Sequence, residues 1–201
     1  MLLSATLIVD AGIDLNTDEG QEAVFAGTFE DTDAGGGTPG TFVTTQLTNT
    51  GDDERQHDID GNRAVWESAG EIFFFDGTID EFGTPNVINV TGNTPASESD
   101  PHISGDHIVW AGGGVHAYNI TTGITTTLTT GGVANPEIDG DIAVWSELNG
   151  SFFTIMMADL SVASPTAVAV PSTITGNQRD PKISGDNIIW LAPGAGSFND
   201  V

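Results

Sequence analysis

Three kinds of side chain in this sequence could carry chemistry: imidazoles, serine hydroxyls and carboxylates. The four histidines are His57, His102, His107 and His116, and none stands in a metal-ligand spacing such as His-Glu-x-x-His. His102 and His107 flank the short segment Ile103-Ser104-Gly105-Asp106, so a metal held between them is one reading. The other is an exposed position of variable type, because Glu137 and Lys182 replace His102 in equivalent segments. A serine nucleophile needs a base and an orienting carboxylate. Ser104 and Ser184 recur as Ser-Gly-Asp, but Asp60 and Asp139 take the same place elsewhere. That interchange reads as turn chemistry, since both side chains bond nearby backbone N–H groups. Gly112-Gly113-Gly114 lacks the lysine and following helix of a phosphate-binding loop. No catalytic residue is assigned.

Carboxylates are too abundant for any one pair to be informative. Asp52-Asp53-Glu54, Asp76 with Asp80 and Glu81, and Glu98 with Asp100 are loop oxygens of the kind that bind Ca²⁺. None has the spacing of a calcium loop, so solvated charge is the expected role and no cofactor is assigned. The basic residues are only Arg55, Arg63, Arg179 and Lys182, set against 29 acidic ones for a formal charge of -25. Such a surface repels phosphate backbones and anionic bilayers, which excludes nucleic acid and membrane surfaces as expected partners. It fits either a halophilic or marine protein, whose self-repulsion salt relieves, or a secreted acidic one.

The elements that must position these groups announce themselves as a repeat. Four segments align on their tryptophans: HDIDGNRAVW (57–66), PHISGDHIVW (101–110), PEIDGDIAVW (136–145) and PKISGDNIIW (181–190). Gly61, Gly105, Gly140 and Gly185 mark the register, 44, 35 and 45 residues apart, and Trp66, Trp110, Trp145 and Trp190 are all the tryptophans of the chain. Asp-Gly or Ser-Gly between β-branched runs signals a tight hairpin, with glycine supplying a positive φ. Proline before the first strand suits a strand start. In the strand after the turn, Ile108 and Trp110 share one face and Val109 the other, so both faces are apolar and both must be covered. Further strands are expected at 71–75, 87–90, 115–120, 124–129, 152–160 and 167–170. Units of about forty residues with four short strands in meander order describe the blades of a β-propeller.

The run Pro-x-Ile-Ser-Gly-Asp-x-Ile-Val-Trp, the later Tyr118-Asn119-Ile120-Thr121-Thr122-Gly123 and a closing Thr-Leu-Thr resemble the repeats of TolB-like β-propellers. The likeness is fullest over 101–130 and extends over 41–201, while 42–48 is similar to the outermost strand of such a blade. It implies an all-β propeller of three full blades and a partial fourth, lacking its last two strands and therefore read as a fragment or as completed by another chain. In that architecture Arg55 and Arg179, each four residues before the repeat isoleucine, lie near one mouth of a central channel. With His102 and Lys182 they are the candidate ligand-binding set, donors for an acidic or carbonyl-rich ligand, unless they pair locally with Glu54 and Asp180.

The first forty residues do not follow the repeat. Val9-Asp10-Ala11-Gly12-Ile13-Asp14, Asp18-Glu19-Gly20-Gln21 and 23–31 are similar to the opening of PKD-type immunoglobulin-like domains, without that family's later strands. An irregular hairpin packed on the first blade is the alternative, and glycine-rich 33–40 reads as a linker. The chain has no cysteine, hence no disulfide or thiolate site. Residues 1–9 are apolar but lack the basic start of a signal peptide, and no apolar stretch is long enough to span a bilayer. The expected function is a non-catalytic binding or scaffolding module, extracellular or on the cell surface, engaging protein or polysaccharide. An accessory domain of a larger hydrolase and a self-assembling structural protein are the competing expectations.

Overall fold

The computed structural model describes residues 8–12, 22–26, 44–92, 97–193 and 199–200, and all its regular elements are β-strands. In chain order these are β1 Ile8–Gly12, β2 Glu22–Ala26, β3 Thr44–Gln46, β4 Glu54–Asp60, β5 Arg63–Ser68, β6 Glu71–Ile79 and β7 Pro85–Asn89. There follow β8 Ser99–Ser104, β9 His107–Ala111, β10 Val115–Asn119, β11 Ile124–Thr129, β12 Val133–Asp139 and β13 Ile142–Asn149. The last are β14 Phe152–Asp159, β15 Val168–Ala169, β16 Arg179–Ser184, β17 Asn187–Pro193 and β18 Asn199–Asp200. Each strand pairs only with its sequence neighbours, always antiparallel, in five sheets: β1–β3, β4–β7, β8–β11, β12–β15 and β16–β18. Three four-stranded meander blades are therefore present, as the repeat predicts, with a three-stranded fourth, behind a three-stranded sheet.

The blades lie side by side through their first strands, β4 against β8, β8 against β12 and β12 against β16. Those strands form the inner edge of the stack. Each inner hairpin is as tight as the sequence demands. Ile103 faces Ile108 and Ser104 faces His107, leaving Gly105-Asp106 as the loop with Gly105 at φ +53°. A positive φ at the first of two loop residues is the type II′ arrangement that matches strand twist.

The tryptophan strands are covered on both sides. Ile108 and Trp110 pack back onto the first blade against Val65, Ile72 and Phe74, while Val109 packs forward onto Ile138, Ala143 and Trp145 of the third. Trp66, Trp110 and Trp145 are buried, and Trp190 is half-buried. Each fully buried aliphatic or aromatic side chain of this kind contributes about 1.5–3 kcal/mol through loss of hydrated surface.

The structure differs from the sequence reading in three places. β6 and β7 run further toward their turn than 75 and 87, past a register shift between Phe75 and Ile79. Gly77 lies within the shift, where a Cβ would come within 2.3 Å of Asn62 Nδ2. β3 bonds to β2, so 44–46 is not the outermost strand of a four-stranded blade; instead Leu47 closes a cluster with Ala64, Trp66 and Phe75 of the first. The fourth blade also has the start of its third strand, β18 on β17. The glycine-rich stretch 33–40 and most of the PKD-like segment lie outside the described residues.

Candidate functional site

Numbering each copy from its isoleucine (Ile59, Ile103, Ile138 and Ile183 as position 0) places the four inner strands in one frame. Position −3 is Gln56, Asp100, Asn135 and Asp180, and all four have φ between 46° and 57°. In every copy the ladder shifts register between positions −4 and −1, a β-bulge with a left-handed residue inside it. Asn and Asp tolerate that conformation better than other side chains, and in three copies a proline follows directly.

Just past the bulge, position −1 reads Asp58, His102, Glu137 and Lys182, an alternation of charge across four blades. His102 Nδ1 lies 3.3 Å from Asp58 Oδ2, and its Nε2 is 3.8 Å from both Glu137 Oε1 and Asp100 Oδ1. Lys182 Nζ donates to the same Glu137 oxygen. Burial works against a charged imidazole here, but hydrogen bonds with Asp100 and Asp58 and the charges of Glu137 and Asp58 outweigh it, raising His102 to about 9. Asp58 is itself held below the usual carboxylate range. Burial opposes that shift, and hydrogen bonds from His102 and from Ile103 N–H, 3.0 Å away, overcome it.

Two further sets of bonds join neighbouring hairpins. The +1 side chain of each blade accepts from the +2 glycine N–H of the next: Gly105 N to Asp60 Oδ2 at 2.8 Å, Gly140 N to Ser104 Oγ at 2.9 Å, Gly185 N to Asp139 Oδ2 at 2.5 Å. This corrects the reading of Ser and Asp as local turn formers. They interchange because both accept from the adjacent sheet. Position +4 also faces the next blade's +3 carboxylate, Arg63 with Asp106 at 4.0 Å and His107 with Asp141 at 3.3 Å.

The candidate ligand-binding residues separate into two groups. His102 and Lys182 are brought together, on either side of Glu137, and both are engaged. Arg55 and Arg179 stand on the first and fourth blades, with two blades between them. Arg55 is exposed and bonds Asp53 at 2.8 Å, rather than Glu54. Arg179 lies 4.7 Å over the ring of Phe153 on the third blade. Among the described residues it is the only Lys or Arg with no carboxylate within ion-pair distance. His102 and His107 are occupied by different partners. His107 Nε2 accepts from Asn119 Nδ2 at 3.1 Å, beside a cleft of about 280 Å³ lined also by Thr122, Ile124, Leu160 and Pro165. Among the described residues no group of three or more His, Asp or Glu is arranged to hold a metal ion, and no helix is long and apolar enough to cross a membrane.

The structural repeat residues carry a relation that the sequence reading missed. Trp110 Nε1 donates to Glu98 Oε2 (position −5) at 2.9 Å, whereas Trp145 Nε1 donates to Glu147 Oε2 (position +9) at the same distance. Positions −5 and +9 are directly opposite across the hairpin, as Glu54 with Ser68 and Val133 with Glu147 show. The four pairs are Glu54/Ser68, Glu98/Gly112, Val133/Glu147 and Gln178/Ala192, one long acceptor with one smaller residue each time. A Cβ on Gly112 would sit 1.4 Å from Glu98 Oε2, so that glycine makes room for the carboxylate.

No protein-family model and no curated relative matches the sequence. Solved structures do resemble it. Human WBSCR16 matches 89% of this chain with a TM-score of 0.59 at 14% identity. TolB from Acinetobacter baumannii matches 91% at 0.57 and 14% identity, and the putative TolB from Agrobacterium tumefaciens 91% at 0.51 and 16%. The chain spans 55%, 46% and 66% of those chains respectively. At such identities the likeness establishes the fold, all-β with propeller-type meander blades, and it gives the PKD-like reading of the first forty residues no support.

Proposed function

We propose that the chain is a non-catalytic binding or scaffolding propeller module of a secreted or cell-surface protein, and that it engages a protein or polysaccharide that presents an isolated carboxylate or a carbonyl-rich group on an otherwise uncharged surface. The observation that carries this reading is the division of its few cations. His102 and Lys182 are spent on holding blades together, while Arg179 stays exposed on the ring of Phe153. A guanidinium stacked on an aromatic face is held in place yet retains its N–H donors for a carboxylate or sulfate. The acidic remainder of the surface supports selectivity, because only a ligand presenting its anion at that point escapes general repulsion.

Calorimetric titration with a sparsely carboxymethylated glucan, against the uncharged glucan, tests the reading. Arg179→Ala is expected to weaken capture at least fivefold at unchanged melting temperature, and Arg55→Ala to weaken it less, since Asp53 already neutralises that group. Capture indifferent to Arg179 would remove the site.

A further inference from the structure

The forward face of the fourth blade carries an aliphatic residue at +6, a hydrogen-bond acceptor at +1 and a charge at −1, three parts that the earlier blades use to hold the blade after them. Position +6 is Val65, Val109 and Val144 in those blades, each 0% exposed, whereas Ile189 at the same position is 56% exposed. What covers the valines repeats from one interface to the next. Ile103 and Ile108 of the second blade close over Val65, and Ile138 and Ala143 of the third over Val109. The following blade also supplies a glycine N–H for the +1 side chain and, at position −1, a charge opposite to the one it meets. On the fourth blade Ile189, Ser184 and Lys182 are the corresponding groups, and all three are exposed. His102 has a carboxylate from the blade on either side of it, while Lys182 has Glu137 of the preceding blade.

We infer that the forward face of the fourth blade is a docking surface for another blade of this same repeat, one whose inner hairpin carries Asp or Glu at position −1, glycine at +2, and aliphatic residues at 0 and +5. The occupant follows from continuity with three interfaces already formed, and it does not depend on what Arg179 binds. An exposed isoleucine alone would be unremarkable on a protein surface. Its alignment with three fully buried equivalents, beside an exposed Ser184 and Lys182, is what specifies the partner.

The chain has no cysteine, so Ile189→Cys gives a single reporter thiol. Its reaction rate with a maleimide is measured in the full chain and in the full chain extended past Val201, through a Gly/Ser linker of about 15 residues, by a second copy of residues 133–170. That copy presents Glu137, Ile138, Gly140 and Ala143 at the required positions. The extension is expected to slow labelling at least tenfold and to raise the urea midpoint. Changing the added copy's Glu137→Lys should recover at least fivefold of the lost rate. Equal rates with and without the extension would overturn the inference, and protection indifferent to Glu137→Lys would overturn the matching of charge to Lys182.

Discussion

The second and fourth blades share a motif, a bulge and a hairpin, yet they differ in how completely that motif is satisfied. In the second, Val109 is fully buried, Trp110 Nε1 bonds Glu98, and His102 lies between carboxylates of two other blades. In the fourth, Ile189 is exposed, and among the described residues Trp190 Nε1 and Gln178 Oε1 are both buried without a hydrogen-bond partner. The local sequence is nearly the same in both. The comparison teaches that the repeat encodes half of an interface on each side, and that burial at position +6 arrives only with a neighbour.

The sharpest way to break this comparison is to place a charge at position +6 in a middle blade and in the last one. Val144→Asp should cost 4 kcal/mol or more, roughly the scale for an unpaired charge forced into a core. Ile189→Asp should stay within about 0.5 kcal/mol, as for surface substitutions. Urea denaturation of the two variants reads the difference, and similar losses would mean that Ile189 is covered as Val144 is, which would remove the contrast between the blades.

A smaller effect is expected at the tryptophan clamp. Gly112→Ala would drive the Glu98 carboxylate off Trp110 Nε1, at about 1–3 kcal/mol for the buried groups left unpaired. The fourth blade already has Ala192 at that position, and there the tryptophan bond is not made. Pairing Gly112→Ala with Glu98→Ala should be less harmful than the sum of the two, and strict additivity would refute the clamp.

The smallest effects concern the charge alternation. His102 titrates near 9 when folded against an ordinary 6.5. Its contribution is therefore complete below pH 6.5 and lost as pH rises through 9, on the order of 2 kcal/mol. His102→Gln should flatten stability over that window in thermal melts. Lys182→Met should change stability by less than about 0.5 kcal/mol, as for an exposed pair. A pH slope that survives His102→Gln would locate the titrating group elsewhere.

Most of the architecture was legible because its signals are local. Glycine at each hairpin, β-branched runs and a tryptophan at fixed spacing state the blade directly. The site was less legible because its bonds run between copies, at sequence separations of 36 to 46 residues. Reading along one copy, His102, Glu137 and Lys182 look like variation at an exposed position. Down the column they alternate in sign. The Glu98/Gly112 and Val133/Glu147 pairs are likewise visible only when two columns are read together. The bulge did leave a local trace, Asp-Pro or Asn-Pro before the isoleucine, which was read as a strand start although it marks a left-handed residue.

The alternating column at position −1 also means that the blades are not interchangeable, alike as they are. Exchanging the second with the third would set Asp58 beside Glu137 and His102 beside Lys182, turning two attractions into repulsions without altering any hairpin. Exchange between odd and even places is thereby penalised, and each unit is confined to alternate places in line.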